Sequence, residues 1–254
     1  MHRYLRKLCQ KSRLDVYRAL LYEALAAGYR VSSLIDWYRN GYYPGEKVFL
    51  LRHDVDSDSE GAYKMYQIEC ELNVRSTFYF RWFSMRTGIM QAMHRSGFEV
   101  SLHYETLATY CKQQHIRQAQ AVSDSIKRIC FDRLCDEIAE FRRRFWPIDS
   151  IASHGDKRNR LLGIPNHVIL NYGDRARLGI QFEAYDPEIT RRFDHYIADS
   201  SVAQGFHWRY GMAPGEAFAK QLTTICLLTH PRHWNFSWRK KLRSVALDIR
   251  ERLA

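Results

Sequence analysis

Val48-Phe49-Leu50-Leu51-Arg52-His53-Asp54-Val55-Asp56 is an unbroken apolar run that ends in an arginine, a histidine and two aspartates. A short continuous apolar run reads as a strand buried on both faces, and such strands belong to parallel sheets covered by helices. The same pattern recurs downstream. Ser76-Thr77-Phe78-Tyr79-Phe80 is a second run, and Phe98, Val100 and Leu102 alternate with polar residues up to His103-Tyr104-Glu105. Residues 148–153 lead to His154-Gly155, His195-Tyr196-Ile197-Ala198 to Asp199-Ser200-Ser201, and Thr224-Ile225-Cys226-Leu227-Leu228 to Thr229-His230-Pro231.

Helical periodicity fills the intervals. Leu14, Tyr17, Leu21 and Leu25 predict an amphipathic lead-in helix closed by Gly28. Residues 57–73 open with a Ser57-x-x-Glu60 capping pattern and carry Ala62, Met65, Tyr66 and Glu69 at helical spacing. A short helix is predicted over 85–95, and a long one within 117–145 on the stripe Ile126, Cys130, Leu134, Ile138, Phe141 and Phe145, stopped before Pro147. Residues 214–222 and a basic stretch, 237–253, complete the helices, 41–47 (GYYPGEK) reads as a turn, and 156–193 reads as loops with short strands. Buried strands separated by helices imply parallel crossovers, hence an α/β fold built as a barrel or a doubly wound sheet.

The chain has 254 residues with no repeat, low-complexity tract or linker-like segment, so one domain over 1–254 is expected. At 46% hydrophobic it carries enough apolar material for a core, which excludes a disordered chain. No window approaches the roughly 18 consecutive apolar residues of a membrane span. Lys11, Arg13, Asp15 and Arg18 fall where a secretory leader needs its apolar core, so a cytoplasmic protein is expected. The six cysteines are scattered without any C-x-x-C and read as reduced core thiols. The net charge of +11 raises the question of a nucleic-acid ligand, but no recognised binding motif accompanies it.

The ends of parallel strands converge on one face in α/β barrels, and active sites form there. Here those ends bring His53, Asp54, Asp56, His103, Glu105, His154, Asp199 and His230. Asp54 and Asp56 are two residues apart, so their side chains point to one side of a strand, and two neighbouring carboxylates need a cation to relieve their repulsion. A divalent metal held by carboxylate and imidazole, with a position open to water, satisfies that need.

At these residues the chain resembles the polysaccharide deacetylase superfamily (NodB-homology, carbohydrate esterase 4-like), especially its small divergent members of surface-polysaccharide biosynthesis. Leu50-Leu51-Arg52-His53-Asp54-Val55-Asp56 is similar to the first family motif, residues 76–80 to the strand that follows, Gly97-Phe98-Glu99-Val100-Ser101-Leu102-His103 to the second motif, and Leu227-Leu228-Thr229-His230 to the last. The resemblance implies a single-domain irregular (β/α) barrel of about seven parallel strands, with a lead-in helix and a basic C-terminal helix. It implies Asp54 as catalytic base, His230 as general acid, and Asp56 and His103 as ligands of a divalent metal, Zn foremost with Ni, Co or Mn as alternatives. Glu105, His154 and His53 are the candidates for the third ligand.

Two departures stand out. Val55 separates aspartates that are adjacent in the family, and the family's second-motif histidine, four residues after the first, is Leu107 here. The arginine that orients the base in the family's third motif is missing beside His154, leaving Arg52 and Arg81 as substitutes. The implied reaction removes an N-acyl or O-acyl group from a nucleotide-linked or lipid-linked sugar, with Tyr104, Asp199 and Trp234 at the substrate. The basic closing helix suggests peripheral contact with an anionic membrane, and Arg142-Arg143-Arg144 is either a phosphate-binding run or a solvated helix face. The departures also support a second class, an inactive deacetylase-like barrel that binds a glycan or another polyanion.

Overall fold

The computed structural model describes residues 11–41, 45–200 and 206–236; the expected closing helix and Cys9 lie outside them. The strands are β1 (Arg30–Ser32), β2 (Val48–Val55), β3 (Thr77–Phe80), β4 (Glu99–Tyr104), β5 (Ser150–Ser153), β6 (Phe182–Glu183), β7 (His195–Asp199), β8 (Trp208–Arg209) and β9 (Thr224–Thr229). The helices are α1 (Leu14–Ala26), α2 (Leu34–Asn40), α3 (Ser59–Glu71), α4 (Thr87–Arg95), α5 (Thr106–Gln113), α6 (Asp124–Arg144), α7 (Lys157–Leu162), α8 (Pro187–Thr190) and α9 (Pro214–Ala219). Every residue of β2, β3, β5 and β9 is buried, as continuous apolar runs require, so the α/β reading holds.

The hydrogen-bonded strand order is β6-β5-β4-β3-β2-β9-β7-β8, with β1 added to β2. The pairs β1/β2, β2/β9, β7/β9, β4/β5 and β5/β6 are parallel, while β8 runs antiparallel to β7. Among the described residues the sheet is therefore mixed, where about seven parallel strands were expected. Strands as short as β6 and β8, two residues each, have no apolar run to announce them.

The chain divides into two compact units, Tyr79–Met85 with Val100–Arg192 forming the second and the remainder the first. In the first unit, Tyr17, Leu21 and Ala24 of α1, Met65 and Ile68 of α3, Phe49 and Leu51 of β2, Ile225 and Leu227 of β9, and Trp234 form one apolar cluster. The predicted lead-in helix is thus part of the core, held by Tyr17 and Leu21, while Leu25 remains exposed. The start of α3 differs from the Ser57 cap expected. Asp58 is the cap, accepting from the Gly61 amide at 2.8 Å, and a Cβ at position 61 would collide with that carboxylate.

In the second unit, Cys130, Leu134, Ile138 and Phe141 form the buried stripe of α6. The stretch read as loops holds α7, two 3₁₀ turns (Asn166–Tyr172 and Arg175–Leu178), β6 and α8. Arg142 organises part of it, donating to the carbonyls of Leu178, Ile148 and Gly179 at 2.7–2.9 Å. Arg143 and Arg144 pair with Glu140 on the helix surface. The basic run therefore divides into one structural arginine and two on a solvated face. Cys70, Cys111, Cys130, Cys135 and Cys226 are free thiols, with burial pushing Cys130 and Cys226 up to about 12. Among the described residues no helix is long and apolar enough to cross a membrane.

Replacing Arg142 with Ala strands three loop carbonyls, and a loss of about 2–3 kcal/mol is expected in urea unfolding. Arg143→Ala, at a side chain 70% exposed, should change stability by less than about 0.5 kcal/mol.

Candidate metal and acid–base site

In the first unit, alternation along β2 sorts its polar residues onto two faces. Arg52 and Asp54 share one. Arg52 Nε donates to Asp54 Oδ1 at 2.8 Å and Nη2 to Oδ2 at 2.9 Å, a two-pronged ion pair whose side chains are 1% and 2% exposed. Arg52 is thus the arginine that fixes Asp54. Asp56 follows the end of β2; it is buried, and its Oδ2 lies 3.0 Å from Arg232 Nη2.

His53 points to the other face. Its Nε2 is 2.9 Å from Glu69 Oε1, its Nδ1 is 2.6 Å from Thr229 Oγ1, and its ring lies against Phe78. The structure therefore commits this third-ligand candidate to a buried network on the side away from Asp54.

β9 lies beside β2 in parallel register, with His53 opposite Thr229, so Asp54 and His230 are each the next residue beyond that rung. His230 Nδ1 donates to Asp199 Oδ1 at 2.6 Å, and its amide donates to Oδ2 at 2.8 Å. Trp234 Nε1 donates to the same Oδ2 at 2.9 Å, while His233 Nδ1 lies 3.1 Å from it without hydrogen-bond alignment. Burial works against the His230 imidazolium, but Asp199, with Asp56 and Asp54 beyond it, outweighs burial and raises the histidine above its ordinary value. Burial likewise opposes ionisation of Asp199, yet His230 and then His233 hold its carboxyl well below the usual range.

Asp199 and Trp234, expected at the substrate, are both buried; Asp199 bonds the ring and amide of His230, and Trp234 bonds Asp199. Sequence reading missed this role because the Asp199 and His230 strand ends are separated by more than 30 residues of chain. Two adjacent runs that each end in Asp or His were the available signal.

In the second unit, β4 and β5 run side by side with His103 opposite Ala152. His103 Nδ1 donates to the Ala152 carbonyl at 3.0 Å, a bond that fixes the proton on Nδ1 and leaves Nε2 as the lone-pair nitrogen. Nε2 faces His154 Nδ1 at 3.2 Å. An imidazole held by a backbone carbonyl, with its Nε2 converging on a second imidazole, forms a donor set that fits a divalent ion. Glu105 sits close to His154 and Asp156. However, Arg81 Nη2 donates to both Glu105 oxygens at 2.6–2.7 Å, and Lys112 pairs with Asp156 at 2.6 Å, so both carboxylates are already compensated. Tyr104 is fully buried, and burial with the nearby Glu183 keeps its phenol protonated far above the ordinary value. A cavity of about 350 Å³ opens beside His154, lined also by Asp156, Arg160, His167 and Tyr185.

Clusters of buried or half-buried His and Asp able to coordinate a divalent ion are present among the described residues, Asp199–His230–His233 being one. Comparison of the chain with protein-family models, curated proteins and solved structures returns no match.

The Asp199–His230 pair has a defined pH signature. The raised His230 value contributes stability below the ordinary histidine value, lost as pH rises through the folded-state value. The depressed Asp199 value contributes stability above the ordinary carboxylate value, lost as pH falls. Asp199→Asn should therefore cost most between about pH 4 and 6.5 and less at pH 9, measured by urea unfolding across that range.

Proposed function

We propose that this chain is a metal-dependent hydrolase of the polysaccharide-deacetylase kind, removing an N-acyl or O-acyl group from a sugar. The observation that carries the reading lies in the first unit: a carboxylate gripped at both oxygens by Arg52 and an imidazole bonded to Asp199, which strengthens its hold on its proton, stand at the ends of adjacent parallel strands. A base and an acid with separated protonation preferences, side by side, are what acyl hydrolysis near neutral pH requires.

His103 and His154, whose Nε2 and Nδ1 lie 3.2 Å apart in the second unit, are the residues that would hold the metal, two imidazoles of the kind found in many catalytic zinc sites. When bound, a divalent ion polarises the acyl carbonyl and acidifies water. Asp54 takes the proton from the attacking water, with Arg52 fixing the carboxylate's direction. His230 gives its proton to the leaving amine or alkoxide, and Asp199 holds its ring with Nδ1 inward and Nε2 turned to the substrate. The cavity beside His154 is roomy enough for one sugar ring and its substituent. Substrates carried on a nucleotide or a lipid phosphate suit a chain of +11 net charge, and surface-polysaccharide assembly in the cytoplasm is the setting the resemblance suggests.

Metal analysis combined with acetate or formate release from nucleotide-linked N-acyl sugars tests this reading. The wild type should carry about one divalent ion per chain. His103→Ala should lose the ion together with activity. Asp54→Asn should keep the ion while turnover falls by about 10²–10⁴-fold. A chain that carries no ion and releases no acyl group from any of these sugars would instead be a glycan-binding or polyanion-binding relative.

A further inference from the structure

Behind β2, on the face away from Asp54, lies a buried polar chain that the proposed chemistry does not use. Tyr17 Oη donates to Glu69 Oε1 at 2.5 Å and Ser76 Oγ to Oε2 at 2.5 Å. His53 Nε2 reaches the same Oε1 at 2.9 Å, and His53 Nδ1 meets Thr229 Oγ1 at 2.6 Å. All five residues are fully buried. Burial, and then Glu69, keep the Tyr17 phenol protonated, so it serves as a donor. The Glu69 carboxylate accepts from three sides, so His53 presents its Nε2 proton to Glu69 and its Nδ1 to Thr229.

The rest of that face of β2 is apolar: Phe49, Leu51 and Val55 are all buried there. An apolar residue at position 53 would pack as well. A hydrogen-bonded imidazole adds direction, because it fixes one strand against its neighbour at one spacing. Its position in the sheet is what matters. His53 and Thr229 are opposite in register, and the residues that follow them are Asp54 and His230. The Tyr17 ring also packs edge-on against Trp234 at 5.5 Å, and the Trp234 indole N–H holds Asp199.

We propose that His53 and Thr229 are positioning residues: their hydrogen bond, anchored through Glu69 to Tyr17 of the lead-in helix, sets the spacing of Asp54 and His230. The inference rests on the reading that Asp54 and His230 are the base and the acid. It brings Tyr17 of α1, which carries none of the quoted motifs, into the control of catalysis.

The test uses the full chain loaded with zinc, 4-nitrophenyl acetate as the acyl probe, and the pair Thr229→Val and Thr229→Ser. Valine keeps the shape and removes the hydroxyl, while serine keeps the hydroxyl. Thr229→Val should lower kcat by about 10–100-fold with KM and bound zinc unchanged, and Thr229→Ser should recover most of that loss. A lowered melting temperature with unchanged kcat in Thr229→Val overturns the proposal, as does a serine variant as slow as the valine one. If Thr229→Val does not fold, Tyr17→Phe, which removes one hydroxyl at the far end of the chain, carries the same comparison with a smaller loss of kcat expected. If the wild type does not cleave the probe, the functional reading fails separately. The positioning claim is then decided by NMR titration of His230, whose midpoint should move in Thr229→Val and stay in Thr229→Ser; an unmoved midpoint overturns it.

Discussion

The ion pair between Arg52 and Asp54 is the constraint on which the first unit depends. Two charges out of water on one strand carry a desolvation penalty of several kcal/mol each, and an apolar pair of similar volume would serve stability as well. Breaking such a pair costs about 3–5 kcal/mol, because the survivor is left charged and unmatched. The pair is therefore poorly explained by stability and well explained by orientation. Asp54 is gripped at both oxygens, so its carboxylate plane is set by a guanidinium two residues away on the same strand. β2 is buried along its whole length, which gives both side chains a firm base.

From that pair the rest of the arrangement follows by register. Because β9 runs parallel to β2, the end of one strand arrives beside the end of the other, and His230 comes up next to Asp54 without any loop having to place it. His230 is held by the same method as Asp54, with a buried partner of opposite charge that fixes its direction. Asp199 receives the His230 ring, the His230 amide and the Trp234 indole, which fills most of the acceptor capacity of its two oxygens. That saturation explains why the Asp199–His230–His233 cluster reads as an acid with its orienting carboxylate and less well as a metal cage. An ion there would have to displace donors that already satisfy the carboxylate.

The sequence shows the strands clearly and their facings only in part. β2, β3, β5, β7 and β9 were visible as apolar runs because burial on both faces removes the polar half of the alternation. For the same reason, hydrophobicity could not say which polar residue at a strand end faces which way. The period of two could have done so: if Asp54 and Asp56 share a side, Arg52 joins them and His53 does not. That step pairs Arg52 with Asp54 and places His53 on the opposite side of the strand, where it meets Glu69 and Thr229. The roles of Asp199, Trp234 and Ala152 were not legible, since each depends on a neighbour brought alongside by parallel pairing across a long crossover. The Asp58 cap was hidden behind a better-looking Ser57 pattern, and only the close approach permitted by Gly61 separates the two.

The surplus of positive charge is better explained piece by piece than as a field for polyanions. Arg52 is consumed by Asp54, Arg81 by Glu105, Arg142 by three loop carbonyls, and Lys112 by Asp156. Each of these cations offsets a buried or half-buried acceptor that would otherwise be left unsatisfied, which is why they sit near strand ends and helix ends. A polyanion binder needs its cations exposed and in a row. Here the consecutive arginines of α6 split between an inward brace and a pair already matched to Glu140. Among the described residues, Arg160 at the mouth of the cavity beside His154 donates to the Gly155 carbonyl, and Arg232 is matched to Asp56.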